Sequence, residues 1–277
     1  MRVVLTGASG FIGQHVVRAL QARAIEPYVV CRKNVPTGIG EDHVLSMDLH
    51  ELPSDPFEVL GRPDLLIHLA WGGLPNYSSL HHIIEEAPAH ARFLHRMTQA
   101  GLKKLVVAGT CFEYGMIEGA LSEGLPTNPQ NPYGCAKDYL RRMLEMMRAA
   151  KSFEFTWARL FYTYGPGQAA GSLLTQLERA ILDSEQSFPM TGGEQIRDFM
   201  PVEQVAEDLV ALGLAEGHHG VVNLCSGQPI SVRSLVEERV QALGGKIDLK
   251  LGVYPYPDYE PMAFWGARRK LDALLRR

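Results

Sequence analysis

Short apolar runs alternate with longer amphipathic stretches along the first 165 residues. Residues 2–5 form a short apolar run, which predicts a buried strand. A glycine-rich turn follows, then a helical pattern through Ala22. Residues 26–31, 44–47, 64–69, 104–108 and 153–160 predict further strands. Helical patterns fill 83–100, closed by Gly101, and 132–150. Residues 116–132 are rich in proline and glycine and predict a surface flap. Beyond residue 165 the alternation loosens. Helices are expected at 173–183, 202–215 and 231–243, a strand at 221–224, and an irregular tail. Regular strand–helix alternation predicts an α/β fold, a doubly wound parallel sheet of Rossmann type with a smaller mixed C-terminal part. The expected division is 1–165 and 166–277, with about 199–225 returning to the core of the first part.

Composition narrows the partners. The 277 residues are 46% hydrophobic and 21% charged, ordinary values for a folded soluble chain. A net charge of −4 gives no electrostatic reason to expect nucleic acid. No run reaches the ~18 apolar residues of a membrane span, and the start lacks a signal-peptide pattern. Cys31, Cys111, Cys135 and Cys225 are far apart and show no metal spacing, so they read as reduced thiols of a cytoplasmic protein. The neighbours His81 and His82 cannot share a helix face, and no third ligand sits nearby, so no metal is expected. His68, inside a strand pattern, reads as a packed histidine.

Chemistry enters at four places. A strand that breaks into Gly7, Gly10 and Gly13 and opens a helix is a phosphate-binding arrangement, because glycines admit the anion and free helix N–H groups face it. The second strand ends in Arg32 and Lys33 with no acid beside them. At that position a basic residue accommodates a ribose 2′-phosphate, which favours NADP(H) over NAD(H). Tyr133 and Lys137 stand four residues apart at the start of the 132–150 helix, on one face. An ammonium beside a phenol favours phenolate, lowering a pKa that is ordinarily ~10. Such a pair can exchange a proton with a carbonyl or alcohol. Thr110, at the carboxyl end of the fifth strand, can bind the same oxygen.

The segment Thr6-Gly-Ala-Ser-Gly-Phe-Ile-Gly13, the Thr110 stretch ending Tyr114-Gly115, Tyr133-Gly-Cys-Ala-Lys137, Arg159 and Arg197-Asp198-Phe199 occur in this order. Together they resemble the extended short-chain dehydrogenase/reductase family, and within it the NAD-dependent epimerase/dehydratase group acting on nucleotide sugars. The resemblance implies that Gly7, Gly10, Phe11, Ile12 and Gly13 hold the pyrophosphate, Asp48 and Leu49 contact adenine, and Leu69, Ala70 and Lys137 line the nicotinamide ribose, with Leu160 at its amide end. It implies a catalytic set of Thr110, Tyr133 and Lys137. Thr110, Cys111, Tyr162 and Arg197 would meet the substrate, Arg197 at its diphosphate or base. The alternative for Arg197 is an ion pair with Asp198.

This chain departs from the pattern in places. Cys111-Phe112 follows Thr110 where family dehydratases carry Asp-Glu, and Glu113 comes one place late, which argues against a 4,6-dehydratase. Tyr162 replaces a frequent asparagine, and Glu86-Ala87-Pro88 stands where an asparagine is often found. The reaction expected from the resemblance is NAD(P)H-dependent reduction of a 4-keto-6-deoxy nucleotide sugar. A nucleotide-sugar 4-epimerase with retained NAD is the alternative, and a non-catalytic cofactor sensor a third. A homodimer is expected, with the stripe Leu140, Met143, Leu144 and Met147 as its helix seam.

Overall fold

A computed structural model describes residues 1–32 and 34–276. In chain order the strands are β1 (Val3–Thr6), β2 (Tyr28–Cys31), β3 (Val44–Ser46), β4 (Leu65–His68), β5 (Lys104–Thr110), β6 (Gly119–Leu121), β7 (Glu154–Leu160), β8 (Tyr162–Tyr164), β9 (Ser187–Pro189), β10 (Ile196–Pro201), β11 (Gly220–Leu224), β12 (Pro229–Ser231), β13 (Asp248–Lys250) and β14 (Phe264–Gly266). The helices are α1 (Phe11–Gln21), α2 (Pro56–Val59), α3 (Ala87–Ala100), α4 (Pro132–Ala150), α5 (Leu173–Leu182), α6 (Val202–Leu214), α7 (Val232–Ala242) and α8 (Arg269–Leu275).

Seven strands form one sheet in the order β11-β7-β5-β4-β1-β2-β3. Every pairing in it is parallel. The apolar runs are continuous because both faces are covered. Side chains alternate along each strand, so Val3, Leu5, Leu65, Ile67 and Val106 join the core under α1 and α6. Val4, Leu66, Leu105 and Val107 join the core under α3 and α4. Strand order reverses between β1 and β4, and ligand crevices open at the carboxyl ends of strands there.

Local signals set the helix ends. The Asn131 side chain accepts from Gly134 N at 2.8 Å and Pro132 takes the first helical position, so α4 starts with Tyr133 in its first turn. Gly101, at φ +118°, closes α3. Among the described residues no helix is long and apolar enough to cross a membrane.

Three expectations need correction. Residues 116–132 are not a free flap: β6 pairs with β14, and Asn128 N donates to Glu113 O at 3.0 Å. The tail is irregular only in part, since β14 and α8 return to the body, where α8 packs against β11 and α6. The α4 stripe faces inward: Leu140 and Leu144 are fully buried, and Met143 and Met147 pack on the same core. It is therefore not available as a seam between copies; the exposed apolar side chains of α4 are Tyr139 and Met146.

Candidate active site

β1 ends at Thr6, and Gly7 turns the chain at φ +76°, where a side chain is strained. A Cβ at Gly7 would lie 2.6 Å from Ala70 N, because the turn packs against the end of β4. At Gly13 it would lie 2.0 Å from Gly7 O. Gly10 is the N-cap of α1 and offers no side chain to cap it. The first-turn N–H groups of α1 thus stay open to an anion. Phe11 and Ile12 carry two of those N–H groups, and they also border a second pocket. The crevice above the turn is bounded by Leu69 and Ala70 on one side and by Arg32, Asp48 and Leu49 on the other. A glycine cradle at an uncapped helix start fits the pyrophosphate of a dinucleotide. Arg32 is largely exposed and lies 4.0 Å from Asp48 Oδ2. Lys33 lies outside the described residues.

A second pocket opens at the ends of β5 and β7. Thr110, Cys111, Tyr133, Leu160 and Tyr162 line it together. Tyr77 closes its front, with its ring centroid 5.6 Å from that of Tyr133. Tyr133 N donates to Tyr77 O at 3.1 Å, tying that loop to the start of α4. No carboxylate lines this pocket among the described residues.

The pairing of Tyr133 and Lys137 differs from the sequence expectation. Lys137 is 2% exposed. Its Nζ donates to Ala108 O at 2.9 Å and lies 3.9 Å from the centroid of the Trp71 indole. It is 5.8 Å from the Tyr133 ring centroid. Burial pushes the Lys137 ammonium down to about 7, against the pull of Glu113 and Glu86. The Tyr133 phenol is raised, first by burial, then by Tyr77, Glu113 and Cys111, with a hydrogen bond to Thr110 opposing. Spacing along a helix predicts proximity; it does not predict the desolvation that outweighs it. Tyr133 in this state is a protonated donor.

Glu113 points inward. Its carboxylate accepts from Thr110 N at 2.9 Å, Trp157 Nε1 at 2.7 Å and Arg159 Nε at 2.7 Å, with no solvent exposure. Thr110 and Glu113 form a reciprocal cap that fixes the turn after β5. The one carboxylate near Thr110 in sequence therefore supports the site and does not enter it.

The reaction pocket continues into a larger, mostly apolar pocket in the C-terminal part. Tyr77, Tyr162, Thr163 and Gln168 line both. Arg197 borders the larger one, paired with Glu260 at 2.8 Å. It does not pair with Asp198, because neighbours on β10 face opposite ways. Asp198 instead accepts from Ser226 N at 2.7 Å and Gly227 N at 2.9 Å.

Beneath the dinucleotide crevice runs a buried chain. Thr6 Oγ1 donates to His68 Nδ1 at 2.8 Å, His68 Nε2 to His90 Nδ1 at 2.7 Å, and His90 Nε2 to Glu86 Oε2 at 3.1 Å, the directions that satisfy every group. Glu86 also accepts from Gly72 N at 2.6 Å and meets His50 at 2.9 Å. Burial alone would raise Glu86, but His90 and Gly72 bring it down to about 2. His68 is held well below the usual histidine range by burial, then by His90 and Lys137. His68 is thus packed, as its strand position suggests, but within a polar chain. Trp71, Tyr77, Glu86, His90 and Glu260 are the site residues that motif reasoning did not assign. Trp71 was within its reach, since it directly follows Leu69-Ala70 at the end of β4.

The sequence matches the family described as the NAD dependent epimerase/dehydratase family over residues 3–225. It is similar to dTDP-6-deoxy-L-talose 4-dehydrogenase (NAD(+)) of Aggregatibacter actinomycetemcomitans, 29% identical over 272 residues, covering 97% of this chain and all of the relative. It is 27% identical to a UDP-glucose 4-epimerase of Azospirillum brasilense, covering 89% of this chain and 78% of the relative. Among solved structures it resembles MoeE5 in complex with UDP-glucuronic acid and NAD, with a TM-score of 0.84, 26% identity and coverage of 100% and 93%.

Proposed function

The chain belongs to the NAD-dependent epimerase/dehydratase family, and from that premise we propose that it reduces a 4-keto-6-deoxy nucleotide sugar to the 4-hydroxy sugar, using a nicotinamide dinucleotide. The observation that carries this reading is the convergence of Thr110 and Tyr133 on one pocket, with Lys137 buried behind them, between the glycine-turn crevice and the apolar cap pocket.

Gly7, Gly10 and Gly13 would cradle the pyrophosphate at the start of α1. Arg32 would meet the adenosine ribose, which places NADP(H) first. When bound, the cofactor supplies a hydride to the ketone carbon. Tyr133 holds its proton and donates it to the carbonyl oxygen. Its raised pKa suits a donor, because the phenol stays protonated at neutral pH. Thr110 donates to the same oxygen, so growing negative charge meets preplaced donors. Lys137, when charged, favours the phenolate left behind. Among the described residues the pocket holds no carboxylate to serve as base in a dehydratase elimination.

The name of the talose 4-dehydrogenase relative describes the same carbon and the reverse direction. A retained-cofactor epimerase would use the same three residues and is the second reading, supported by the UDP-glucose 4-epimerase relative. The test is incubation of the purified protein with a panel of 4-keto-6-deoxy nucleotide sugars, following NADPH and NADH absorbance. Stoichiometric consumption of reduced cofactor supports the reductase. Interconversion of 4-hydroxy epimers with no added cofactor would replace it with the epimerase.

A further inference from the structure

The two charged side chains that line the cap pocket among the described residues, Arg197 and Glu260, are spent on each other. Arg197 Nη2 donates to Glu260 Oε1 at 2.8 Å, and the Tyr162 hydroxyl donates to Glu260 Oε2. Each carboxylate oxygen therefore takes one donor, a two-point arrangement that a phosphate group can take as well. The donors stand on rigid elements. Tyr162 is on β8 and Arg197 on β10, and the two strands pair in parallel. Arg197 is further fixed by Nη1 donating to Ile196 O at 2.9 Å and Met262 O at 3.0 Å, and by the Phe264 ring centroid at 4.6 Å. Glu260 sits on the irregular stretch between β13 and β14. If the acid leaves, both donors remain where they are.

The location is where an extended ligand would pass. Tyr162 lines both the reaction pocket and the cap pocket and so lies at their junction, and Arg197 lines the cap pocket and shares Glu260 with it. With Glu260 in place, a diphosphate arriving there meets a pair of no net charge and a carboxylate of its own sign.

We propose that Glu260 is a displaceable internal anion of the cap: in the free protein its carboxylate occupies the seat of the substrate's diphosphate on Arg197 and Tyr162, and the ligand displaces it. The proposal rests on the nucleotide-sugar reading above. A strongly charged two-point anion can exchange with the carboxylate, whereas a neutral nucleoside gains nothing by doing so. Glu260 thereby sets the cost that a diphosphate must overcome, a cost that a neutral nucleoside does not meet.

The test compares the full chain with Glu260→Gln, which keeps size and an acceptor oxygen but removes the charge. Calorimetric titrations use UDP and dTDP, with uridine and thymidine as neutral controls. Glu260→Gln should bind at least one diphosphate about tenfold more tightly, with nucleoside affinity unchanged. Equal or weaker diphosphate binding by Glu260→Gln, when the native chain does bind it, overturns the proposal and leaves the nucleotide-sugar reading standing. Absence of diphosphate binding by both proteins overturns the two together. Hydrogen exchange on the native chain provides a measurement independent of the variant's folding. Saturating UDP or dTDP should speed exchange around residue 260; unchanged or slower exchange counts against displacement.

Discussion

Lys137 Nζ lies 3.9 Å from the centroid of the Trp71 indole, on a buried cation held between an aromatic face and the Ala108 carbonyl oxygen. Burial brings the Lys137 ammonium down to about 7, well below the ordinary lysine value of 10.5, against the pull of Glu113 and Glu86. A lowered lysine pKa means that charge is lost as pH rises through the lowered value. If the ammonium is the working form, kcat/KM for the cofactor falls as pH rises above about 7. A bound anionic cofactor favours the charged form, so the limb seen in kcat lies at higher pH than the limb in kcat/KM. Lys137→Met removes both limbs along with activity. A flat profile between pH ~6 and ~9 would show that the charge of Lys137 does not matter.

Tyr133→Phe removes the one proton donor that faces the reaction pocket from α4. The expected loss in kcat is ~10²–10⁴-fold, the range for a positioned acid. Stability should change by no more than about 1 kcal/mol, since the ring and its packing remain. Activity within threefold of the native chain would remove Tyr133 from the mechanism and favour a non-catalytic role for this fold.

Much of this is legible in the sequence. β1, β4 and β5 are covered on both faces, and unbroken apolar runs report that directly. The Gly7, Gly10 and Gly13 turn and the Tyr133–Lys137 spacing are local, so sequence carries them. What escaped depends on distant chain. Glu260 meets Tyr162 across 98 positions, and no spacing rule reaches that far. Strands β6 and β14 are three residues each and exist only because they find one another. Glu113 stands beside the site in sequence but turns inward, because Trp157 and Arg159 on β7 satisfy it there. The Tyr133 shift runs opposite to the sequence expectation for a similar reason: proximity follows from helix geometry, whereas desolvation follows from everything packed around it.

The His68–His90–Glu86 chain predicts acid sensitivity. His68 and His90 are both held below their ordinary value of 6.5, first by burial. The unfolded chain takes up protons at about 6.5 while the native chain resists. Stability is therefore fully present above that pH and falls as pH drops toward the depressed native values. Glu86, held at about 2, adds a further loss as pH falls from its ordinary 4.5. Urea midpoints should decrease steadily from pH ~7 to ~5. His90→Gln should flatten that slope in part. A midpoint that is constant across the range would mean that the histidines take up protons at the same pH in the native and the unfolded chain.

Glu113 predicts a large structural effect with no direct chemical role. Its carboxylate holds Thr110 N, Trp157 and Arg159 with no exposure to water. Glu113→Ala leaves the Arg159 guanidinium buried without its anion, a change that costs about 3–5 kcal/mol. The denaturation midpoint should fall accordingly. Glu113→Gln keeps shape and acceptor, and should recover part of the loss. If Glu113→Ala melted like the native chain while abolishing turnover, Glu113 would have to be reassigned to the reaction.

Arg32 and Asp48 both border the crevice where we propose that the adenosine ribose lies. The Arg32 guanidinium is 66% exposed at the end of β2, with Asp48 Oδ2 4.0 Å away. At that distance and exposure the pair is weak, so the guanidinium remains available to a third group. A 2′-phosphate there would form charge-assisted hydrogen bonds, each worth about 1.5–3 kcal/mol, or roughly 10–100-fold in affinity. Asp48 works against this, because it would repel the same phosphate and can instead accept from a ribose hydroxyl. The two residues thus favour different cofactors, and the outcome depends on which of them reaches the ribose. Arg32→Ala should lower kcat/KM with NADPH by about tenfold or more and leave NADH nearly unchanged. Asp48→Asn should do the opposite, improving NADPH by removing the repulsion. Should the native chain use NADH faster and Arg32→Ala change neither cofactor, Arg32 would have no part in the choice, and Asp48 would be the residue that sets it.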